Sequence, residues 1–200
     1  MMDKLTIKQR TNFYTIFLDD CMKRLKSMKD GTAIIITDPP DEVVVNQPEY
    51  FLECMRVSAG RMAWIVSDRT LKYANEYQPR PDKIIAWIPP SAQPTSGLLT
   101  LKYHPIACWG LHSGAKVATI RDDIEQSVWW SHPGTKPVSL MKKLIALFDN
   151  DVLIMDPFMG TGATGVACKE LGRSYLGIES DPNYFEIATK RMKDTWMINE

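Results

Sequence analysis

A chain of 200 residues is long enough for one domain with a sizeable buried core, and its 44% apolar and 24% charged content is that of an ordinary globular protein. No apolar run approaches the roughly 20 residues of a membrane span, and the charged start MMDKLTIKQR lacks the apolar stretch of a secretory signal, so a cytoplasmic protein without membrane contact is expected. Lys plus Arg equals Asp plus Glu at 24 each, which excludes a global attraction to polyanions and leaves only local patches.

In chain order, short apolar runs at 13–18, 33–37, 62–67, 83–88, 106–111, 152–155 and 175–178 read as strands. Helical patterns fall between them at 20–28, 46–58, 69–77, 137–148, 164–171 and 182–192. Pro137 and Pro182 suit first helical turns, Asp181 suits an N-cap, and Gly172 stands where a left-handed residue closes a helix. Such alternation is the signature of an α/β domain with a largely parallel sheet. The stretch 89–130, with PPSAQPTSG and then SVWW, breaks the rhythm and reads as an insertion over one rim of the sheet. Cys21, Cys54, Cys108 and Cys168 form no C-x-x-C pair, so reduced core thiols are expected and no metal site.

The sharpest chemical signal is LIMDPFMGTGATGVACKELGRSYLGIES, residues 153–180. A strand ends at Asp156, a loop with Gly160, Gly162 and Gly165 opens a helix, and a second strand ends at Glu179. This is a nucleotide-binding βαβ layout whose distal acid is placed for ribose hydroxyls. A dinucleotide would set its pyrophosphate at the helix N-terminus, where Asp156 would repel it. S-adenosylmethionine has no phosphate and carries an ammonium and a sulfonium, which an acid at the mouth of the loop attracts. The pattern therefore favours S-adenosyl-L-methionine as cofactor.

DPFMGTGATG followed by GIESDPNYF, preceded by HPGTKPVSLMKKLI and, much earlier, by a strand ending DPP, resembles the β-class amino-methyltransferases of DNA. That class places its catalytic motif before its cofactor motif, as here, and the resemblance runs from about residue 15 to residue 192. It implies a Rossmann-like methyltransferase fold, with a mostly parallel twisted sheet and helices on both faces. It also implies a single domain with a catalytic half at 13–88, a short target-recognition insertion at 89–130 and a cofactor-binding half at 131–195.

Residue roles follow from the same resemblance. The exocyclic amine of a base is a poor nucleophile because its lone pair is delocalised into the ring. Asp38 offers a carboxylate to its hydrogens, and the rigid Pro39–Pro40 backbone, free of competing N–H groups, presents the Pro39 carbonyl to the same nitrogen. FLDDC, residues 17–21, matches the family's acidic loop, with Asp20 accepting from the cofactor's adenine amine and also suited to cap the next helix. His132, Thr135 and Lys136 belong to the segment beside the methionine end. Pro157, Phe158, Gly160, Thr161, Gly162, Thr164, Glu179 and Ser180 complete the implied cofactor site with Asp20, Asp38 and Asp156.

One position departs from the pattern. The residue after D-P-P is normally aromatic and stacks on a base flipped out of the duplex, whereas here it is Asp41. Three readings follow: Tyr50 or Phe51 supplies a ring, Asp41 accepts a hydrogen bond from a base edge, or catalysis is feeble. The partner implied is double-stranded DNA, with Lys23, Arg24, Lys26 and Lys29 on one helix and Arg69, Lys72, Arg80 and Lys83 around another as local phosphate patches. Lys102, His104, Lys116 and Arg121 accompany them in the insertion, while Trp129 and Trp130 read as packing. The shortness of the insertion suggests a short target, a homodimer sharing the work, or a partner subunit. The expected function is site-specific methylation of an exocyclic amine in DNA, adenine before cytosine because Asp precedes Pro-Pro, within a restriction-modification setting and associated with the nucleoid. A cofactor- or DNA-binding homologue without turnover and an RNA amino-methyltransferase are the alternatives, and a nicotinamide dehydrogenase is a distant third.

Overall fold

The computed structural model describes residues 3–9, 12–89, 103–112, 117–121, 135–149 and 151–197. The elements in chain order are β1 (Lys4–Gln9), β2 (Asn12–Leu18), α1 (Cys21–Ser27), β3 (Ala33–Thr37), α2 (Asp41–Asn46), α3 (Pro48–Ser58), β4 (Met62–Ile65), α4 (Leu71–Glu76), β5 (Lys83–Ile88), β6 (His104–Trp109), β7 (Thr119–Arg121), α5 (Val138–Ile145), β8 (Leu153–Asp156), α6 (Ala163–Glu170), β9 (Tyr175–Glu179) and α7 (Pro182–Met197). The strands form one nine-stranded sheet in the order β1-β2-β9-β8-β3-β4-β6-β5-β7.

Strands β2, β9, β8, β3, β4, β5 and β7 share one direction, and β1 and β6 run against it. The predicted α/β class is therefore the observed one. β3 is AIIIT and buried at every position, as a strand covered on both faces must be. On one face α5, α6 and α7 pack Leu140, Leu144, Val166 and Phe185 against Ile34, Ile36 and Ile154. On the other, α1 and α3 pack Leu25, Phe51 and Cys54 against Ile35, Trp64 and Met155. Phe51 is the centre of that second layer: it stacks on Tyr77 at 4.4 Å and meets Trp64 edge-on at 5.5 Å. All four cysteines are free and buried.

Four elements differ from expectation, one of them the unpredicted three-residue strand β7. The predicted single helix 46–58 is preceded by α2, which folds DEVVVN into a short helix with Asp41 and Glu42 in its first turn. Acids there are favoured by the partial positive charge of the first helical N–H groups. β1 is an added antiparallel edge strand, pairing Lys4 with Phe17 and Gln9 with Asn12. Strand β6, from the predicted insertion, lies inside the sheet between β4 and β5 with Ile106 and Cys108 fully buried. The insertion is thus not wholly an overlay; the rest of it, at 90–102 and 122–130 with Lys102, Trp129 and Trp130, lies outside the described residues, as do Lys116 and His132.

The order of strand connection reverses between β3 and β8. From β3 the chain moves to β4, from β8 it moves to β9, and the two strands pair directly, Ile35 opposite Met155. Loops leaving two adjacent parallel strands toward opposite sides open a crevice at the carboxyl ends. Asp38 and Asp156 stand at that crevice.

Candidate active site

Thr37 and Asp156 end β3 and β8, and the Thr37 hydroxyl donates to Asp156 Oδ1 at 2.6 Å. The second oxygen, Oδ2, accepts from the Thr164 hydroxyl at 2.6 Å, and Oδ1 also accepts from the Phe158 N–H at 3.2 Å. Burial pushes the Asp156 carboxyl up to about 6, against the lowering effect of these hydrogen bonds. Asp156 lines the cavity where the sequence places an acid that helps to hold a cationic ligand. Its oxygens are also bound to both motifs and to the following helix, so it rivets the crevice as well.

The loop after Asp156 is built from its own amides. Phe158 N–H donates to Asp156, Met159 N–H to the Ile178 carbonyl at 2.9 Å, and Gly160 N–H to Glu179 Oε2 at 2.8 Å. Gly162 N–H turns back to the Met159 carbonyl at 3.0 Å. A phosphate cradle needs N–H groups aimed at a ligand. Here these donors are spent inside the protein, two of them on carboxylates, which argues against a pyrophosphate ligand from geometry as well as charge. Gly160 and Gly162 take left-handed φ values of 55° and 82°. Gly165 is needed for closeness: a Cβ there would lie 2.7 Å from Tyr175. Arg191, buried on α7, donates to Thr161 at 3.3 Å, and the Thr161 and Thr135 hydroxyls lie 3.3 Å apart.

One cavity of about 690 Å³ joins the two strand ends. Its wall includes Asp20, Asp38, Pro39, Pro40, Asp41, Thr135, Lys136, Asp156, Pro157, Phe158, Gly160, Thr161, Thr164, Glu179 and Ser180, so nearly all the predicted site residues meet in one place. Gly162 does not line it; its Cα faces Ala188 of α7, where a Cβ would come within 3.2 Å, so that glycine packs the loop onto a helix. Asp20 lines the cavity while its Oδ1 caps α1 by accepting from the Lys23 N–H at 2.7 Å, so both roles proposed for it are compatible. Asp19, not singled out beforehand, lines it too and is bound to Arg24 at 2.6 Å.

At the catalytic end the Lys136 ammonium donates to Asp38 Oδ2. Loss of water raises the Asp38 carboxyl above its ordinary range, and Lys136, then His104, pull it back. Lys136 therefore meets the DPP acid directly, although the sequence reading had placed it beside the cofactor. Asp41 is exposed in the first turn of α2, with Oδ1 accepting from the Thr70 hydroxyl at 3.4 Å. Phe51 is completely buried and offers no ring to a ligand. Tyr50 lines the cavity but lies against Phe158 at 5.6 Å, with its hydroxyl on Cys21 beside Asp20. Among the predicted phosphate contacts, Arg24 is engaged by Asp19 and stacks on Phe17 at 3.9 Å. Among the described residues no cluster of ligands fits a metal ion, and no helix is long and apolar enough to cross a membrane.

The residues present suit an adenosyl cofactor with a cationic centre. Carboxylates of Asp20 and Glu179 line the cavity from neighbouring strand ends, the amides of Phe158, Met159, Gly160 and Gly162 are spent inside the protein, and an ammonium already sits on Asp38.

Known proteins agree with that description. The model of the DNA methylase family matches residues 12–190. The type II methyltransferase M.HinfI of Haemophilus influenzae is 46% identical over 66 residues, which are 32% of this chain and 18% of that protein. M2.LlaDCHI of Lactococcus lactis subsp. cremoris is 44% identical over 63 residues, 30% of this chain and 23% of that protein. The chain thus matches about a fifth of the length of these curated relatives. Among solved structures, the M1.HpyAVI complex with SAM superposes with a TM-score of 0.70 at 25% identity, covering 89% of this chain and 99% of that one. The cytosine-N4-specific PvuII DNA methyltransferase has the same fold, with a TM-score of 0.68 at 14% identity over 92% of this chain and 91% of its own. A motif-bearing crevice shared by two halves of one sheet, and a family match over nearly the whole chain, lead to one assignment: this chain belongs to the DNA methylase family of N6 and N4 amino-methyltransferases.

Proposed function

We propose that the chain transfers a methyl group from S-adenosylmethionine to the exocyclic amine of a base in DNA, adenine before cytosine. The observation that carries this reading is the single cavity into which Asp38 and the Asp156 loop both open, with Thr37 tied to Asp156 behind it.

Glu179 and Asp20 are the acceptors for the ribose hydroxyls and the adenine amine of the cofactor, Phe158 and Pro157 flank it, and Thr135 and Thr161 border the methionine end. When bound, S-adenosylmethionine supplies an electrophilic methyl on a sulfonium, and its sulfur departs as a neutral thioether. The protein's share is the amine. Asp38 accepts one N–H of the flipped base and the Pro39 carbonyl accepts the other, which favours a pyramidal nitrogen with its lone pair free for attack. Charge develops positively on that nitrogen as the bond forms, so an ionised Asp38 stabilises the transition state more than the ground state. No strong base is required before transfer, because the amine sheds its extra proton after it has become cationic.

Lys136 must yield its place on Asp38 to the base amine, and in doing so remains close enough to keep the carboxyl ionised. The adenine preference rests on Asp preceding Pro-Pro. The reading is tested by incubating the protein with labelled cofactor and unmethylated DNA and digesting to nucleosides. Label is expected in N6-methyladenine, and Asp38→Ala should lower turnover by at least about a thousandfold, on the order of 4 kcal/mol of transition-state stabilisation. DNA that is bound yet carries label in neither methyladenine nor N4-methylcytosine sinks it.

A further inference from the structure

Position 41 carries no ring, and Phe51 is buried on the inner face of α3. An extruded base still needs a flat apolar face to lie on, because unstacking it from the duplex costs free energy that a pocket must return. Among the described residues, the ring-bearing side chains of the cavity wall are Tyr50, His104, Phe158 and Tyr184. Tyr50 and Phe158 contact each other on the Asp20 side, and Tyr184 stands at the start of α7 beyond Glu179. His104 alone of these four comes from the strands on the Asp38 side.

His104 opens β6, opposite Trp87 at the end of β5. The two rings stack with centroids 5.0 Å apart and an interplanar angle of 30°. Trp87 is 5% exposed and belongs to the core, so it backs the imidazole rigidly, while His104 itself is exposed on the cavity side. The backbone beside the ring is fixed as well, since the Val66 N–H that follows β4 donates to the Pro105 carbonyl of β6 at 3.0 Å. The charges nearest the ring are Lys136, Asp38 and Asp68. Loss of water around the ring and then Lys136 hold the imidazole below its ordinary range, which keeps it uncharged near neutral pH.

We propose that His104, braced by Trp87, is the platform on which the target base lies while Asp38 and Pro39 hold its amine, replacing the aromatic side chain that position 41 lacks. The proposal rests on the DNA-methylation reading above. A ring acting by its face requires aromaticity and not a hydrogen bond, which two substitutions separate: His104→Phe keeps the ring, and His104→Gln keeps polar reach without it.

The test uses the full chain, with kcat and KM measured on unmethylated genomic DNA at saturating labelled S-adenosylmethionine, cofactor affinity by calorimetry and folding by thermal melts. His104→Ala and His104→Gln are expected to lower kcat/KM for DNA by about ten- to a hundredfold, with cofactor affinity held within about twofold. His104→Phe is expected to return to within about threefold of the unsubstituted chain. Activity of His104→Gln equal to the unsubstituted chain, or His104→Phe as deficient as His104→Ala, overturns the platform. A parallel fall in cofactor affinity overturns it too. Should His104→Ala fail to melt cooperatively, the Phe and Gln variants carry the comparison. An unsubstituted chain that methylates DNA while His104→Ala matches it loses the platform alone; an unsubstituted chain that methylates no DNA loses the function and the platform together.

Discussion

Asp38 shows how a single carboxyl is tuned by two opposing neighbours. Its burial favours the neutral acid, and the Lys136 ammonium favours the anion. Amine activation needs the anion, so the acid side of the pH profile of kcat reports the Asp38 carboxyl. Removing the cation in Lys136→Met lets burial prevail, raises the carboxyl further, and moves that acid limb to higher pH. Lys136→Arg, which restores a cation, should bring it back. Asp41, His104 and Asp156 also face Asp38 electrostatically and remain in all three proteins, so the displacement isolates Lys136. An unmoved limb would mean that Lys136 serves the cofactor alone.

At the scale of elements, the glycine loop and α6 depend on contacts too close for any side chain. A Cβ at Gly165 would meet Tyr175 at 2.7 Å and the Met192 side chain at 3.1 Å, and Tyr175 is fully buried between them and the sheet. Gly165→Ala is therefore expected to cost about 1–3 kcal/mol in urea denaturation, with a loss of cofactor affinity as α6 shifts from β9. Much of this element was legible beforehand, because strand, glycine turn and helix leave strong local marks. The position of DPP beside DPF follows from the family resemblance and not from local pattern, since strand order depends on contacts distant in sequence. β1 was missed because KLTIKQ is a solvated edge strand with little periodic contrast, and three-residue β7 is too short to mark itself. α2 was hidden by its three valines, which suit a strand; tertiary packing of Val44 and the acids of the first turn decide for helix. His104 was visible only as one more cation-capable residue, because its pairing with Trp87 is a cross-strand fact.

For the molecule as a whole, the cavity draws its walls from the ends of β2, β3, β4, β6, β8 and β9 and from α1, α2, α3, α5, α6 and α7. A ligand spanning it ties both halves of the sheet and binds only the folded chain. S-adenosylmethionine at about a hundred times its Kd should add about 2.7 kcal/mol and raise Tm by about 5–10 °C for a chain of this size. NAD should not shift it. A differential scan with both ligands checks this, and stabilisation by NAD alone would return the glycine loop to the dinucleotide binders.

The antiparallel β6 brings chain segments back to the rim of the site. Because β6 returns alongside β5, Ile88 and His104 sit near one another on the same rim as the strand ends that carry the chemistry, and Arg121 and Thr135 return to that rim too. Ile88, His104, Arg121 and Thr135 thus stand on the rim onto which Asp38 and Asp156 open. Under the proposed function, substitutions at those rim positions can retune what the site accepts while the β3–β8 pairing that holds its two acids together stays as it is.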